Sequence, residues 1–246
     1  MTNATNTELT IRVQAKGGMF LGPDSYNGAI ITIYAGSSKL AGPAFTNNGD
    51  SGTRSTATPT APIPIGATRN QIVTPGKPET KYCVVAAPTT VNYVARLNLS
   101  APTSLKIEAR VPLPAVQGDQ IVTGEFLFDP SSPPPLPGHV IEIPGLWVQP
   151  ELVVAGNTVN LKTKVTMMCG CIINSAASGS PWISTDFSVY AMIGTRWVDL
   201  SFVFNSQFAG ELQLPGGNYT AEIFARQTST GNAGKATVHF QMPVCG

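Results

Sequence analysis

The chain has 246 residues, with 15 Lys and Arg against 14 Asp and Glu, a formal net charge of +1 and only 12% charged side chains. That balance gives no electrostatic footprint for nucleic acid or an anionic membrane, and 42% hydrophobic residues exclude disorder throughout. Its 24 Gly and 21 Pro interrupt the chain too often for many long helices, and no apolar run approaches the ~18 residues of a membrane-spanning helix.

Met1 to Thr10 is polar, with neither the basic nor the apolar region of a secretory signal. Low charge, abundant Thr, Ser, Asn, Gly and Pro, and four cysteines nevertheless suit a secreted or cell-envelope protein. Period-two alternation, which sends one set of side chains into a core and the other into water, begins at Leu9, Ile11 and Val13. A short β-branched run follows at Ala29 to Tyr34. The stretch Asn47 to Gly66, rich in Gly, Thr and Pro, reads as a long exposed loop. Within it, Gly49-Asp50-Ser51-Gly52 is similar to the nucleophile tetrapeptide of trypsin-like serine proteases. It departs from them at Thr53, and the two histidines, His139 and His239, both lie downstream, so it reads as a turn.

Alternation resumes with Val91, Tyr93, Ala95, Leu97 and Leu99, then with Leu105, Ile107, Ala109 and Val111. Together these elements predict a β-sandwich over residues 1–128. Asp129 to His139 comes next as a stiff proline-rich linker, because consecutive prolines remove donors and favour polyproline II. A second β-domain, 140–246, takes a leading strand in 140–154 and then the alternations at Val159 to Met167, Phe187 to Ile193, Val198 to Phe204, Leu212 to Leu214, Ala221 to Ala225 and Ala236 to Met242. That makes about seven strands at sandwich spacing. The fold class predicted is all-β, with two β-sandwich domains.

Gly217-Asn218-Tyr219-Thr220-Ala221-Glu222-Ile223 resembles the entry to the sixth strand of bacterial immunoglobulin-like and fibronectin type III-like modules. The resemblance implies an immunoglobulin-like second domain in which Tyr219 forms a corner with the preceding turn. Ala29 to Ala41 more loosely resembles immunoglobulin-like and carboxypeptidase-regulatory-like modules. Such modules support, space or bind far more than they catalyse.

Met167-Met168-Cys169-Gly170-Cys171 is the most unusual segment. A persisting strand would turn Cys169 and Cys171 to one face with Cα atoms about 6.6–7 Å apart, at the edge of disulfide geometry, so a bond between them needs a sharp turn at Gly170. Three readings stand open: structural disulfides, buried thiols, and a soft-metal site in which Cys169 and Cys171 grip Cu(I), with His139 as a further ligand. In immunoglobulin strand order the two cysteines lie near the domain junction and Cys245 at the far pole, which makes Cys83 with Cys169 or Cys171 the expected disulfide. Trp147, Trp182 and Trp197 are candidate ligand-stacking residues, with Trp182 in its Ser180-Pro181 loop foremost.

No acid, base and nucleophile set emerges. The expectation is a non-enzymatic structural or interaction protein, a subunit of a surface or extracellular assembly, whose partners are other protein subunits or further copies of itself. Its N-terminal segment, Thr2 to Val13, is a candidate strand for exchange with another subunit. The alternative is a small-site binding protein, for copper through Cys169 and Cys171 or for carbohydrate through Trp182.

Overall fold

In a computed structural model, residues 5–16, 19–20, 29–45, 91, 93–135, 138–168, 170–178 and 182–244 are described. The chain divides into two compact units. The first comprises residues 1–113 and 119–143, and the second residues 114–118 and 144–246.

The first unit holds β1 (Thr5–Ala15), β2 (Met19–Phe20), β3 (Ile30–Ala35), β4 (Ser38–Phe45), β5 (Tyr93–Leu99), β6 (Thr103–Val111), β7 (Gln120–Phe128) and β8 (His139–Ile143). One sheet runs β4-β3-β6-β7. The other is built on β1, which pairs with β2 and β5 antiparallel and with β8 in parallel. The alternation read from the sequence fills the core. Leu9, Ile11 and Val13 of β1, Ile31 and Ile33 of β3, Ala95 and Leu97 of β5, and Leu105, Ile107 and Ala109 of β6 are buried.

Three expectations are revised. Strand β1 is paired within its own chain, from Thr5 to Ile11 with β5 and from Ile11 to Ala15 with β8, so over those residues it is a working internal strand and not one kept for exchange. The segment 129–139 is no domain linker. The chain makes a turn in which Ser131 N–H and Oγ donate to Asp129 Oδ1 at 2.9 and 2.7 Å, then re-enters the first unit as β8. The division between the units falls instead at Ile143 and Pro144. Proline stiffness does not by itself separate domains; the residues beyond these prolines form a strand that pairs with β1 and stays with the first unit. The leading strand expected over 140–154 is broken at Pro144-Gly145 into β8 and β9 (Leu146–Ala155), which belong to different units. The loop 47–66 lies outside the described residues.

The second unit continues with β10 (Thr158–Met167), β11 (Phe187–Ile193), β12 (Arg196–Asp199), β13 (Ser201–Phe204), β14 (Gln207–Gln213), β15 (Gly217–Gln227) and β16 (Ala233–Met242). They form two four-stranded sheets, β13-β14-β10-β9 and β12-β11-β15-β16. The run Val198 to Phe204 is therefore two strands. Leu200 is buried at the crossing, β12 stays on β11, and β13 passes to β14 in the other sheet. Where β16 approaches β9, Gly234 leaves no room for a side chain, since a Cβ there would lie 2.3 Å from the Leu146 carbonyl oxygen. Gln117, in the short segment 114–118 of this unit, donates its amide to Leu146 O at 2.7 Å and accepts from Val148 N–H at 3.1 Å.

The β13–β14 hairpin turns through Asn205 and Ser206, both at positive φ (40° and 69°), the pairing of a two-residue type I′ turn. Ser206 is fully buried, and every polar group it carries is used. Its N–H donates to Ile173 O at 2.7 Å, its Oγ accepts from Ile173 N–H at 2.8 Å, and its carbonyl accepts from Val165 N–H at 2.8 Å.

Candidate functional site

Inward residues of β11, β12 and β15, namely Val189, Ala191, Val198, Ile223 and Ala225, fill the core of the second unit, so their sequence neighbours face outward. On that outer face the registers align Asp199, Tyr190, Phe224 and Lys235 in one cross-strand row and Trp197, Met192, Glu222 and Thr237 in the next. Three aromatic rings thereby converge. Tyr190 lies 5.2 Å from Trp197 and 5.4 Å from Phe224, and Trp197 lies 6.1 Å from Phe224, between ring centroids. Lys235 Nζ sits 5.2 Å from the Phe224 centroid and is ion-paired with Glu222. Trp197 is 60% exposed. The outer face of the other sheet carries the rows Glu151 with Lys162 and Gln149 with Lys164, and on its strands Val153, Val203 and Phe204 are exposed without forming an aromatic cluster of this kind.

Beside the aromatic cluster opens a cleft of about 360 Å³, lined by Ser184, Ser188, Ser201, Asp199, Tyr190 and Phe202 among others. It lies where the chain crosses between sheets at Leu200. Farther along the same face a second depression, of about 410 Å³, holds Asn218, Thr220, His239 and Gln241, with Thr220 Oγ1 and His239 Nδ1 2.9 Å apart.

The residues singled out in the sequence fall elsewhere. Trp182 is half-buried, and its backbone is laced to the preceding loop: Asn174 N–H donates to Trp182 O at 2.9 Å and Ser184 N–H to Asn174 O at 2.7 Å. Trp147 is half-buried on β9. The exposed tryptophan is Trp197. Its outward parity was readable from its neighbour Val198, but its meeting with Tyr190 and Phe224 depends on strand register.

Strand β10 ends at Met167, so Cys171 is not carried on it. The chain reverses, with Gly170 at φ 79°, Gly170 N–H donating to Met167 O at 2.8 Å and Met167 N–H to Cys171 O at 3.1 Å. Cys171 is buried and disulfide-bonded; Cys83, Cys169 and Cys245 lie outside the described residues. A disulfide sulfur offers no thiolate charge to a metal, so a copper site using Cys171 would first require reduction. Among the described residues no cluster of three or more His, Cys, Asp or Glu could hold a metal ion.

His139 belongs to the first unit, opposite Ile11 in the parallel β1–β8 pair. It is half-buried. Its ring stacks on Phe126, with centroids 3.3 Å apart and planes 25° apart, and its Nε2 is buried without a hydrogen-bond partner. Burial lowers its pKa. His239 is exposed on the outward parity of β16, as the alternation requires.

At the entry to β15, Tyr219 Oη donates to Pro215 O at 3.1 Å, and the ring stacks on Phe240 at 5.6 Å. The tyrosine closes back onto the preceding turn as expected, although the bond is exposed and not buried.

No protein-family model matches the sequence, and no curated protein matches it. Among solved structures, the chain is similar to a DUF3823 family protein from Bacteroides ovatus and another from Bacteroides uniformis, each with a TM-score of 0.31 and 8% identity, covering 97% of this chain and 100% of theirs. It is also similar to a Bacteroides uniformis protein proposed to bind carbohydrate, with a TM-score of 0.29 and 10% identity, covering 96% of this chain and 99% of that one.

Proposed function

We propose that this is a non-enzymatic interaction protein of a surface or extracellular assembly, in which β-sandwich modules present a recognition face formed by β11, β12, β15 and β16. The observation that carries the reading is the cluster of Tyr190, Trp197 and Phe224 on the outward parity of that sheet. A core does not require aromatic residues on its solvent side, and an exposed apolar patch rimmed by charge marks a binding surface. The second unit is an immunoglobulin-like module in this reading, supported by the pairing of β13-β14-β10-β9 against β12-β11-β15-β16 and by the Tyr219 corner. The disulfide at Cys171 supports a secreted or envelope location, because such bonds persist in oxidising compartments. No helix among the described residues is long and apolar enough to cross a membrane. The sparse charge and the use of both histidines in ring stacking or hydrogen bonding support binding over catalysis.

The test is retention of the full chain on a panel of immobilised polysaccharides, secreted proteins and the chain itself, run beside a Trp197→Ala/Phe224→Ala variant with an unchanged far-UV spectrum. Retention of the parent chain that the variant loses is expected. Equal behaviour of the two on every surface would overturn the assignment of this face.

A further inference from the structure

Resting on that recognition face, we infer that its ligand is a neutral carbohydrate chain, with an end unit in the cleft at Asp199 and an adjoining unit stacked on Trp197. The two parts of the site are continuous, because Tyr190 and Asp199 each belong to both the aromatic row and the cleft. Their chemistry is complementary to a sugar ring in two respects. A pyranose has a C–H face that packs on an aromatic plane, and Trp197, 60% exposed, supplies such a plane, backed by the half-buried Tyr190 and Phe224. It also has hydroxyls around its edge, each both donor and acceptor. The cleft offers the hydroxyls of Ser184, Ser188 and Ser201, which donate and accept in turn, and the Asp199 carboxylate, which only accepts. A protein partner filling the same cleft with apolar side chains would leave these groups unpaired, at a cost in affinity.

Charge narrows the class. The charged side chain among those lining the cleft is the acid Asp199, Arg226 stands opposite Ser188 outside that lining, and on the platform Lys235 is already engaged by Glu222. An anionic chain would meet a carboxylate in the cleft and a neutralised cation beside it, whereas a neutral chain meets hydrogen-bonding groups throughout. The Asn218, Thr220, His239 and Gln241 depression continues the same outer face with amide, hydroxyl and imidazole groups, so a longer chain has somewhere to run.

The experiment is affinity electrophoresis and calorimetry of the full chain against neutral cello-, xylo-, manno- and malto-oligosaccharides, with oligogalacturonate as the acidic arm. At least one neutral series is expected to bind. Trp197→Ala should weaken that binding about tenfold, Trp197→Phe should retain most of it, and Asp199→Asn should weaken it while leaving the unfolding midpoint unchanged. Tighter binding of oligogalacturonate, or neutral binding indifferent to both Trp197→Ala and Asp199→Asn, overturns the inference. So does the absence of binding by every neutral series. In that last case, loss of protein capture or self-association in Trp197→Ala would still uphold the recognition face and assign it to a protein, whereas no effect of Trp197→Ala on any partner would remove both.

Discussion

Replacing Ser206 by Ala tests whether the β13–β14 turn is held together as the hydrogen bonds indicate. Ser206 Oγ accepts from Ile173 N–H at 2.8 Å in a fully buried site. Removing the hydroxyl leaves that backbone donor unpaired away from water, which costs about 1–3 kcal/mol. The two backbone bonds at Ser206 survive the substitution, and Ala inherits the left-handed φ of 69° without the short polar side chain that eases it. Ser206→Gly loses the same hydroxyl but relieves the backbone, recovering about 1 kcal/mol, so the expected order of stability is Ser, then Gly, then Ala. Urea unfolding followed by intrinsic fluorescence reads the difference as a shift in midpoint at constant slope. A Ser206→Ala chain as stable as the parent, or more stable than Ser206→Gly, would mean that the buried hydroxyl does not anchor Ile173.

Gly234→Ala should destabilise the second unit by about 1–3 kcal/mol, since its Cβ would press on the Leu146 carbonyl and force β16 from β9; calorimetry showing an unchanged transition would contradict that packing. Tyr219→Phe should cost only about 0.5 kcal/mol, because the bond to Pro215 is exposed and water replaces it; a loss above about 2 kcal/mol in chemical unfolding would mean the hydroxyl is buried after all. For His139 the sign comes from burial. Its pKa is lowered in the folded state, so the unfolded chain takes up the proton first and stability falls as the pH drops below the ordinary value of 6.5. His139→Phe, which keeps a ring against Phe126, should flatten the loss of melting temperature between neutral and mildly acidic pH; an undiminished loss would move its origin to other groups.

Local pattern determined a good deal of this protein. Side chains in an extended chain alternate by geometry alone, so Leu9, Ile11, Val13, Leu105, Ile107 and Ala109 were assignable to a core, and Tyr190, Trp197 and Phe224 to the opposite face, without knowing what any strand pairs with. The Tyr219 corner was equally local, spanning a single turn. Pairing and register were decided only in the tertiary structure, because they join residues far apart in the chain whose alternation fits several partners equally well. Period two could not show that β8 would cross past the prolines to lie parallel to β1, nor that Val198 to Phe204 would divide between two sheets at Leu200. It could not show that Trp197 would stand beside Tyr190 instead of Trp182 leading the site. The same holds for Cys171. The strand that would have carried it ends at Met167, because the backbone reverses at Gly170 and the bridge from Thr166 to Ile172 holds the chain folded back on itself.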